Sequence, residues 1–347
     1  AFQKWGRIPQ GYLLLKRKKR FQNGRPIVSF YKAFFRPLTE AVAAVLYNLI
    51  YIACPHSYGH GDLFTQLKDL HHFLESVQGT THTLFPYNQD LSGFFNSIPK
   101  ERFLSAFALA WQWYIASGRT SHHADTFTVD MRKHLPPHRR VHRGQFRKSH
   151  DLVIHIDDLH DLIQVMLGFS YFGTSGRLYR QIRGAPTGSP ASPALCALVA
   201  AVTEECWHRT HSSLFQCPSL THTEDELTDS LLNPRNPSTA RTHPSPFFCT
   251  RYVDNRFTLI PEPLRPLPPL NQFLHPEFYR QPVILEDEPD MGFLGFDIDA
   301  TNRTVQYKPD VQQHNIMRPN SASPPTVLQS SLRAKLHLAK ANSFPPR

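Results

Sequence analysis

Cysteine is scarce in this chain, and long apolar runs are missing. The 347 residues contain five cysteines, an odd number with no Cys-X-X-Cys pair, so a disulfide scaffold is disfavoured. The longest apolar stretch, residues 41–54, is interrupted by Asn48 and is too short to span a bilayer. Charged residues make up 19% of the chain against 40% apolar residues, which excludes a disordered polyelectrolyte. We therefore expect a folded protein with no membrane contact.

Acidic residues are absent from three stretches, and this uneven charge indicates a class of partner. Residues 1–39 contain ten Lys or Arg, residues 132–148 contain seven and residues 311–347 contain five, all without an acid. The whole chain carries a formal charge of +10. Clustered positive charge is typical of proteins that bind nucleic acid, because phosphate contacts release counterions. A solvated basic arm explains the same clusters equally well.

Histidine is abundant, yet its spacing does not indicate a metal site. His134, His138 and His142 are four residues apart, but the prolines at 136–137 prevent a shared helix face. The cysteines and histidines within residues 206–217 match the spacing of no zinc module. Both groups are interpreted as unrelated surface residues.

Hydrophobic periodicity predicts the main elements. Apolar residues at helical spacing predict helices over residues 37–54, 62–78, 99–117 and 192–209. Short apolar runs predict strands over residues 84–91, 178–182, 247–260 (as a hairpin), 282–286 and 293–307. Turn signals at Gly11 and Asn23-Gly24 predict a further hairpin within residues 4–36.

Two acidic residues lie where an apolar strand is predicted to meet a turn. Asp90 is the next-to-last residue of the predicted strand 84–91, and Asp254 lies at the tip of the predicted hairpin 247–260. An acid at a turn is common, and turn chemistry alone explains either one. Taken singly, each is more often structural than catalytic.

Five motifs in a fixed order are more informative than either acid. They are Arg25-Pro-Ile-Val-Ser29, Asp90-Leu-Ser-Gly-Phe-Phe-Asn-Ser-Ile-Pro99, Arg183-Gly-Ala-Pro-Thr-Gly-Ser-Pro-Ala-Ser-Pro193, Tyr252-Val-Asp-Asn255 and Phe293-Leu-Gly-Phe296. In this order they resemble the fingers and palm of reverse transcriptases. The likeness is greatest to the retroelement and group II intron branch and covers about residues 4–300.

The resemblance implies an α+β fold, namely the fingers and palm of a right-hand polymerase. An antiparallel palm sheet would carry the two aspartates, with helices packed behind it. Residues 1–80 would form a basic, fingers-like region and residues 81–310 the palm, with insertions at about 118–150 and 217–246. Residues 311–347 are then a Pro- and Ser-rich tail or a partial thumb, so we expect the thumb to be absent or truncated.

The resemblance also implies RNA-directed DNA synthesis, with an RNA template, a DNA or RNA primer and dNTPs as partners, and a mobile genetic element as the source. Nucleotidyl transfer is an in-line attack of a 3′-hydroxyl on an α-phosphate, which two divalent ions assist. Asp90 and Asp254 would bind Mg²⁺ or Mn²⁺, and Asn255 would complete the catalytic set. Carboxylate oxygens are the ligands that Mg²⁺ prefers.

The other motif residues take their expected roles from the same resemblance. Phe95 corresponds to the steric gate that rejects a ribose 2′-hydroxyl. The expected nucleotide contacts are this ring, Leu91, Arg25, Lys16 (or one of Lys18 and Lys19), and the loop residues Gly184, Pro186, Thr187 and Gly188. The expected primer-end contacts are Tyr252, Phe293, Leu294 and Gly295.

The sequence departs from the family at two of these positions. Asn255 stands where a second Asp is usual, and Thr187 stands where Gln is usual. Both changes leave open a catalytically degenerate domain that only binds nucleic acid. An RNA-dependent RNA polymerase is a third reading, and Phe95 argues against it because such enzymes must admit the 2′-hydroxyl.

Overall fold

The computed structural model describes the chain in segments. They are residues 7–15, 24–61, 63–117, 126–132, 137–144, 151–168, 170–216, 246–289 and 292–307, and the single residues 329, 333 and 336. The chain divides into two compact units. The first unit comprises Ala1–Tyr58, Ser92–His208 and Tyr279–Ile284, and the second comprises Gly59–Leu91, Arg209–Phe278 and Leu285–Arg347. Most of the predicted insertion at 217–246 lies outside the described residues.

The elements follow the predicted order closely. Within the described residues the α-helices are α1 (Arg36–Ala53), α2 (Leu63–Ser76), α3 (Lys100–Ala116), α4 (Ile156–Gly168), α5 (Ser192–Thr210) and α6 (Pro268–Leu274). The strands there are β1 (Gln10–Leu15), β2 (Gly24–Ser29), β3 (Leu84–Ser92), β4 (Thr126–Asp130), β5 (Val141–Arg143), β6 (Asp151–His155), β7 (Tyr171–Thr174), β8 (Arg177–Arg180), β9 (Phe248–Tyr252), β10 (Asn255–Pro261), β11 (Ile284–Asp287), β12 (Gly292–Phe293), β13 (Phe296–Asp299) and β14 (Thr304–Tyr307). The four predicted helices are confirmed to within two residues at each end.

Helix α5 is largely buried, and the residues that it buries lie on all sides of it. It also buries two acids, and its Glu204 is fully buried. The Glu204 carboxylate accepts hydrogen bonds from the Ser57 hydroxyl and the Tyr279 hydroxyl, both at 2.7 Å. A buried carboxylate requires such donors, since its loss of hydration is otherwise uncompensated.

The predicted N-terminal hairpin forms, but its turn is not where the glycines suggested. Strands β1 and β2 pair antiparallel, and Leu15 lies opposite Gly24. The connection therefore spans residues 16–23, outside the described residues, and Gly24 belongs to a strand. Gly11 also lies within β1 rather than in a turn, and a Cβ there would come within 2.5 Å of the Phe172 ring. Close approach of β7, rather than a turn, explains this glycine.

The hairpin is part of a four-stranded sheet in the order β2-β1-β7-β8, which we name the basic sheet. The pair β1–β7 is parallel and the pair β7–β8 is antiparallel. All four residues of β8 are exposed. This edge strand therefore exposes Arg177 and Tyr179 on one face of the sheet and Leu178 and Arg180 on the other.

The predicted insertion at 118–150 contains regular structure. Strand β4 lies between β5 and β6 in a three-stranded antiparallel sheet, and all five of its residues are buried. Part of the basic block is used inside this fold. The Arg143 guanidinium lies 5.2 Å from the centre of the Phe127 ring, and Arg140 is only 9% exposed. These two arginines are therefore structural rather than free for a polyanion.

The second unit is built on a sheet in the order β11-β3-β10-β9, which we name the acidic-turn sheet. Strand β10 pairs antiparallel with both β3 and β9. Its apolar side chains join a core with α2 and with the small sheet β12-β13-β14. The core side chains are Leu67, Leu70, Phe73, Leu74, Val77, Leu84, Phe248, Phe257, Leu259, Phe293, Phe296, Ile298 and Val305.

The mixed α+β class with mainly antiparallel sheets is therefore confirmed. The division into residues 1–80, 81–310 and 311–347 stays a prediction. Within the described part of the chain, no helix has both the length and the apolar character needed to cross a membrane.

Candidate functional site

Strand pairing in the second unit brings the predicted catalytic residues together. Asn255 at the start of β10 lies directly opposite Asp90 on β3, and opposite Tyr252 on β9. Residues opposite each other in an antiparallel pair project from the same face of the sheet. The Leu91 amide donates a hydrogen bond of 2.7 Å to the Asp254 carbonyl. The residue after Asp90 is therefore hydrogen-bonded to the backbone of Asp254, although 164 residues separate the two aspartates in sequence.

The turn that carries Asp254 has a strained backbone. Val253 and Asp254 form a two-residue connection between β9 and β10, and Val253 has a φ of 59°. A positive φ at the first central residue is typical of a type II′ turn, where glycine is the usual residue. A β-branched residue in this region is a conformational outlier that the surroundings must stabilise.

Arg251 supplies part of that stabilisation. Its side chain is 2% exposed, and its Nη1 donates a hydrogen bond of 3.0 Å to the Val253 carbonyl. The Arg251 carbonyl in turn accepts a hydrogen bond of 3.0 Å from the Gln66 side chain on α2. A Cβ on Gly59 would lie 2.7 Å from Arg251 Nη2, so this glycine makes room for the guanidinium.

The opposite face of the same strands carries a polar row that the sequence did not reveal. Gln89, Arg256 and Arg251 lie opposite one another, one position from the pair Asp90–Asn255. Arg256 is fully buried, and its Nε donates a hydrogen bond of 3.1 Å to Gln89 Oε1. Its Nη2 donates to the Phe273 carbonyl at 2.9 Å.

This polar row fixes the register of β3 against β10. If β10 slipped by one residue against β3, Arg256 would move to the face that now carries Asn255. The buried hydrogen bond between the Arg256 guanidinium and Gln89 would then be lost. The Gln89 amide also donates to Asp287 on β11 at 2.9 Å, which ties a third strand to the row. Register, and with it the pairing of Asp90 and Asn255, therefore rests on these hydrogen bonds.

The donor set at the acidic turn fits a divalent cation. Asp90, Asp254 and Asn255 are half-buried, so their side chains are reachable from solvent. They offer two carboxylates and one amide oxygen, which are hard ligands of the kind Mg²⁺ takes together with water. Among the described residues there is no group of three or more His, Cys, Asp or Glu placed to hold a metal ion.

The predicted nucleotide loop, residues 184–189, lies in the first unit and is tightly packed. Gly184 has a φ of 70°, and a Cβ there would come within 2.4 Å of the Phe95 carbonyl. Gly188 has a φ of 116°, and a Cβ there would come within 2.5 Å of the Val28 carbonyl on β2. Both positions accept only glycine, because backbone lies against them on the side where a side chain would project.

Hydrogen bonds hold this loop on both sides. The Val28 amide donates to the Thr187 carbonyl at 2.7 Å, and the Ala185 amide donates to the Phe95 carbonyl at 2.8 Å. The buried Pro186 carbonyl accepts a hydrogen bond of 2.7 Å from the Ser192 hydroxyl at the start of α5. The loop thus connects β2 of the basic sheet to the turn that contains Phe95.

Phe95 and its neighbour Phe94 occupy different environments. Phe94 is 3% exposed, as expected of a core residue, whereas Phe95 is half-buried. The two rings make an edge contact with centroids 5.4 Å apart. Phe95 is therefore held by Phe94 and still presents part of its ring to solvent.

The structure describes only the backbone of Arg25 among the residues predicted to contact the triphosphate. Arg25 lies in β2 opposite Leu14, and its side chain is outside the described residues. Lys16, Lys18 and Lys19 are also outside the described residues. Their roles stay predictions.

The predicted primer-end hairpin is formed by β12 and β13. Leu294 and Gly295, with φ values of 52° and 88°, connect the strands in the pattern of a type I′ turn. Phe293 is 1% exposed and lies 5.7 Å from the Phe257 ring, so its side chain belongs to the core. The turn residues remain accessible to a ligand, since Leu294 is half-buried and Gly295 is exposed.

Positive charge gathers on the basic sheet. The Arg180 guanidinium lies 5.8 Å from the centre of the Tyr171 ring. Burial lowers the pKa of Lys100 on α3, and the positive charge of Arg180 lowers it further. Exposed aromatic rings beside cations suit single-stranded nucleic acid.

No protein-family model and no curated protein matches the chain. Several solved structures do. One is telomerase from Candida albicans in complex with a TWJ fragment of telomeric RNA, with a TM-score of 0.59 and 11% identity over 95% of this chain and 49% of that one. Apo telomerase from Candida tropicalis gives a TM-score of 0.54 and 12% identity, over 99% of this chain and 53% of that one.

These likenesses concern the fold. The chain spans about half the length of the telomerase chains that it matches, and the identities are too low to transfer a function. They give no support to the group II intron branch, which stays a prediction. The chain has a fold similar to that of telomerase, a reverse transcriptase-related catalytic subunit.

Proposed function

We propose that this chain is a reverse transcriptase domain, which adds deoxynucleotides to the 3′-hydroxyl of a DNA or RNA primer on an RNA template. The observation that carries the proposal is the pairing of Asp90 with Asn255 beside the turn that holds Asp254. This pairing concentrates acidic and amide oxygens at one end of the acidic-turn sheet. The telomerase-like fold supports a polymerase-type framework around it.

The acidic turn is the proposed site of Mg²⁺ or Mn²⁺. Asp90 and Asp254 would hold the ions through their carboxylates, and Asn255 through its amide oxygen. Bound there, the ions would supply the positive charge that stabilises the attacking and leaving oxygens of the displacement. The hydrogen bond from the Leu91 amide to the Asp254 carbonyl keeps these ligands in place before any ion binds.

The first unit contains the residues proposed to bind the nucleotide. The accessible part of the Phe95 ring would exclude a ribose 2′-hydroxyl and so select dNTPs. Gly184, Pro186, Thr187 and Gly188 would lie beside the nascent base pair, and the backbone that packs against the two glycines would hold the loop in place. Arg25 and Lys16 would contact the triphosphate, since arginine grips phosphate oxygens bidentately.

The primer end would lie near Tyr252 and the Leu294–Gly295 turn. Tyr252 is 40% exposed and shares a face with Asp90 and Asn255, so its ring is available to a sugar or base. The buried ring of Phe293 attaches the β12–β13 hairpin to the core of the second unit.

A specific observation favours one alternative function. Asn255 is neutral where a third acidic ligand would strengthen metal binding, so the chain would then be a nucleic-acid-binding domain without catalysis. The exposed arginines and tyrosines of the basic sheet suit that function as well. An RNA-dependent RNA polymerase is a weaker alternative because of the Phe95 ring.

Primer extension on an RNA template with dNTPs and Mg²⁺ or Mn²⁺ tests the proposal. We expect extension by the full chain and its loss, by about a thousandfold or more, in Asp254→Ala and Asp90→Ala, because metal assistance contributes several kcal/mol. Asp158→Ala on α4 is the matched control, since it removes an exposed carboxylate elsewhere.

The outcomes separate the three functions. Salt-sensitive RNA binding that is indifferent to Mg²⁺ and to Asp254→Ala, without extension, would establish the non-catalytic alternative. Equal use of rNTPs and dNTPs by the unaltered chain would favour an RNA polymerase. A rise in rNTP use in Phe95→Ala supports the assigned role of the ring.

A further inference from the structure

Asn96 has an environment that its place in the sequence did not suggest. It follows Phe95, its side chain is exposed, and its Oδ1 accepts a hydrogen bond of 3.3 Å from the Thr187 hydroxyl. The two residues are 91 positions apart and belong to the same unit. The contact joins the turn after β3 to the nucleotide loop.

The backbone on both sides of this contact is held in place. The Thr187 carbonyl accepts from the Val28 amide at 2.7 Å, which fixes the loop against β2. On the other side, the Gly184 amide donates to the Ile98 carbonyl at 3.0 Å. The Asn96 side chain projects from one fixed segment and is hydrogen-bonded to the other, so it loses little further conformational freedom when a ligand binds.

The direction of the hydrogen bond determines which group remains available. An asparagine side chain has one acceptor oxygen and an NH₂ group with two donors. Because the Thr187 hydroxyl occupies the oxygen, the NH₂ group of Asn96 is directed away from Thr187. An exposed donor beside Phe95 is suited to an acceptor atom on a nucleotide.

We propose that Asn96 is a nucleotide-contacting residue and that Thr187 is the positioning residue that orients its amide. The inference rests on the proposed function and deepens it. Thr187 stands where the resemblance leads us to expect a glutamine amide, and its hydroxyl contacts the amide of Asn96 instead. The ligand group is an uncharged acceptor of the nucleotide sugar or base, because an amide NH₂ donates to such atoms.

Isothermal titration of the full chain with dATP and Mg²⁺ tests this assignment through affinity rather than through turnover. Asn96→Asp keeps the size and the acceptor oxygen but removes the donors and adds a negative charge, and we expect a rise in Kd of about tenfold or more from the lost hydrogen bond together with repulsion of the triphosphate. Thr187→Val removes the hydroxyl at nearly constant shape, and we expect a rise of about threefold to fivefold.

Coupling between the two residues is the sharper readout. In the double variant the rise in Kd should equal that of Asn96→Asp alone, because Thr187 acts only through Asn96. Thr187→Ser keeps the hydroxyl and should retain the Kd of the unaltered chain. Asn271→Asp on α6 is the matched control, since it makes the same change at an exposed asparagine of the second unit.

Several results would overturn the inference. An unchanged Kd in Asn96→Asp, or purely additive effects in the double variant, would show that the contact is structural only. Absence of dATP binding by the unaltered chain would have the same consequence. Thermal melting of each variant identifies loss of folding as the cause of a weaker affinity.

The inference and the proposed function can fail separately. A chain that binds dATP through Asn96 but extends no primer would retain the nucleotide site and lose the catalytic assignment. A chain that extends primers with a KM indifferent to Asn96→Asp would retain the catalytic assignment and lose the nucleotide contact.

Discussion

The two four-stranded sheets of this protein use their strands in opposite ways. In the acidic-turn sheet, six of the seven residues of β10 are buried. In the basic sheet, all four residues of β8 are exposed. Buried side chains thus hold the central strand β10, whereas backbone pairing holds the edge strand β8.

This difference corresponds to what each sheet is proposed to do. Metal ligands must be held to within fractions of an ångström, and buried hydrogen bonds such as Arg256–Gln89 provide that precision. A surface that follows a nucleic-acid strand needs charge and accessible rings more than a fixed geometry. Four substitutions test the contrast, from the largest expected effect to the smallest.

Arg256→Leu should break the acidic-turn sheet. The substitution leaves Gln89 without its guanidinium partner inside the core, so we expect the free energy of unfolding to fall by about 4 kcal/mol. Urea denaturation measures the change. Arg265→Leu is the matched control: both guanidiniums lie 4.3 Å from a ring centre, but Arg265 is exposed and should contribute less than about 1 kcal/mol. Equal losses would contradict the assigned role of burial.

Gly188→Ala should detach the nucleotide loop from the basic sheet. The new Cβ would meet the Val28 carbonyl at 2.5 Å in addition to the strain of φ 116°, and we expect a loss of about 3 kcal/mol. Gly176→Ala between β7 and β8 isolates the strain, because its φ is 73° and nothing lies within 4 Å of the Cβ. It should cost about 1 kcal/mol. Thermal melting compares the two, and equal shifts would argue against the close packing.

Val253→Gly should stabilise the acidic turn. The change relieves the backbone strain of a valine at φ 59°. The free energy of this strain exceeds the entropic cost of ordering a glycine, so we expect the free energy of unfolding to rise by about 1 kcal/mol. Val153→Gly on β6 provides the control, because the two valines are 39% and 40% exposed but Val153 has no such strain. That control should lose about 1 kcal/mol. A loss in both variants would show that Val253 is not strained.

Leu178→Ser should have the smallest effect on folding. This leucine of β8 is 59% exposed, so we expect the free energy of unfolding to change by less than about 0.5 kcal/mol. Leu259 on β10 is fully buried, and Leu259→Ser should destabilise the protein by about 3 kcal/mol or more. Denaturation of the two variants measures the difference between the sheets directly.

Much of the fold could be predicted because its signals are local. The spacing of apolar residues located α1, α2, α3 and α5, and the run that ends near Asp90 located β3. Strands β4 and β5 were missed, since a basic stretch rich in His and Pro hides short strands that gain stability only by pairing with each other and with β6. The turn expected at Gly11 was wrong, because a glycine required in a strand looks the same as one required in a turn.

Less of the candidate site could be predicted. The motifs named Asp90, Asp254 and Asn255, but strand alternation alone would place polar side chains such as Gln89 and Arg256 at the surface. No sequence signal marks Asn96, because its contact with Thr187 depends on a loop 91 residues away. These positions become visible only when the register and the burial are known.

The order of the motifs, the apolar segments and the turn at Asp254 follow from the amino-acid sequence alone, since each depends on neighbouring residues. The tertiary structure decided which side chains share a face with Asp90, which arginines are buried, and which glycines lie against backbone. The physical reason is that register and burial arise from pairing and packing between distant segments. A substitution at Arg256 or Asn96 therefore has consequences that its sequence neighbours do not reveal.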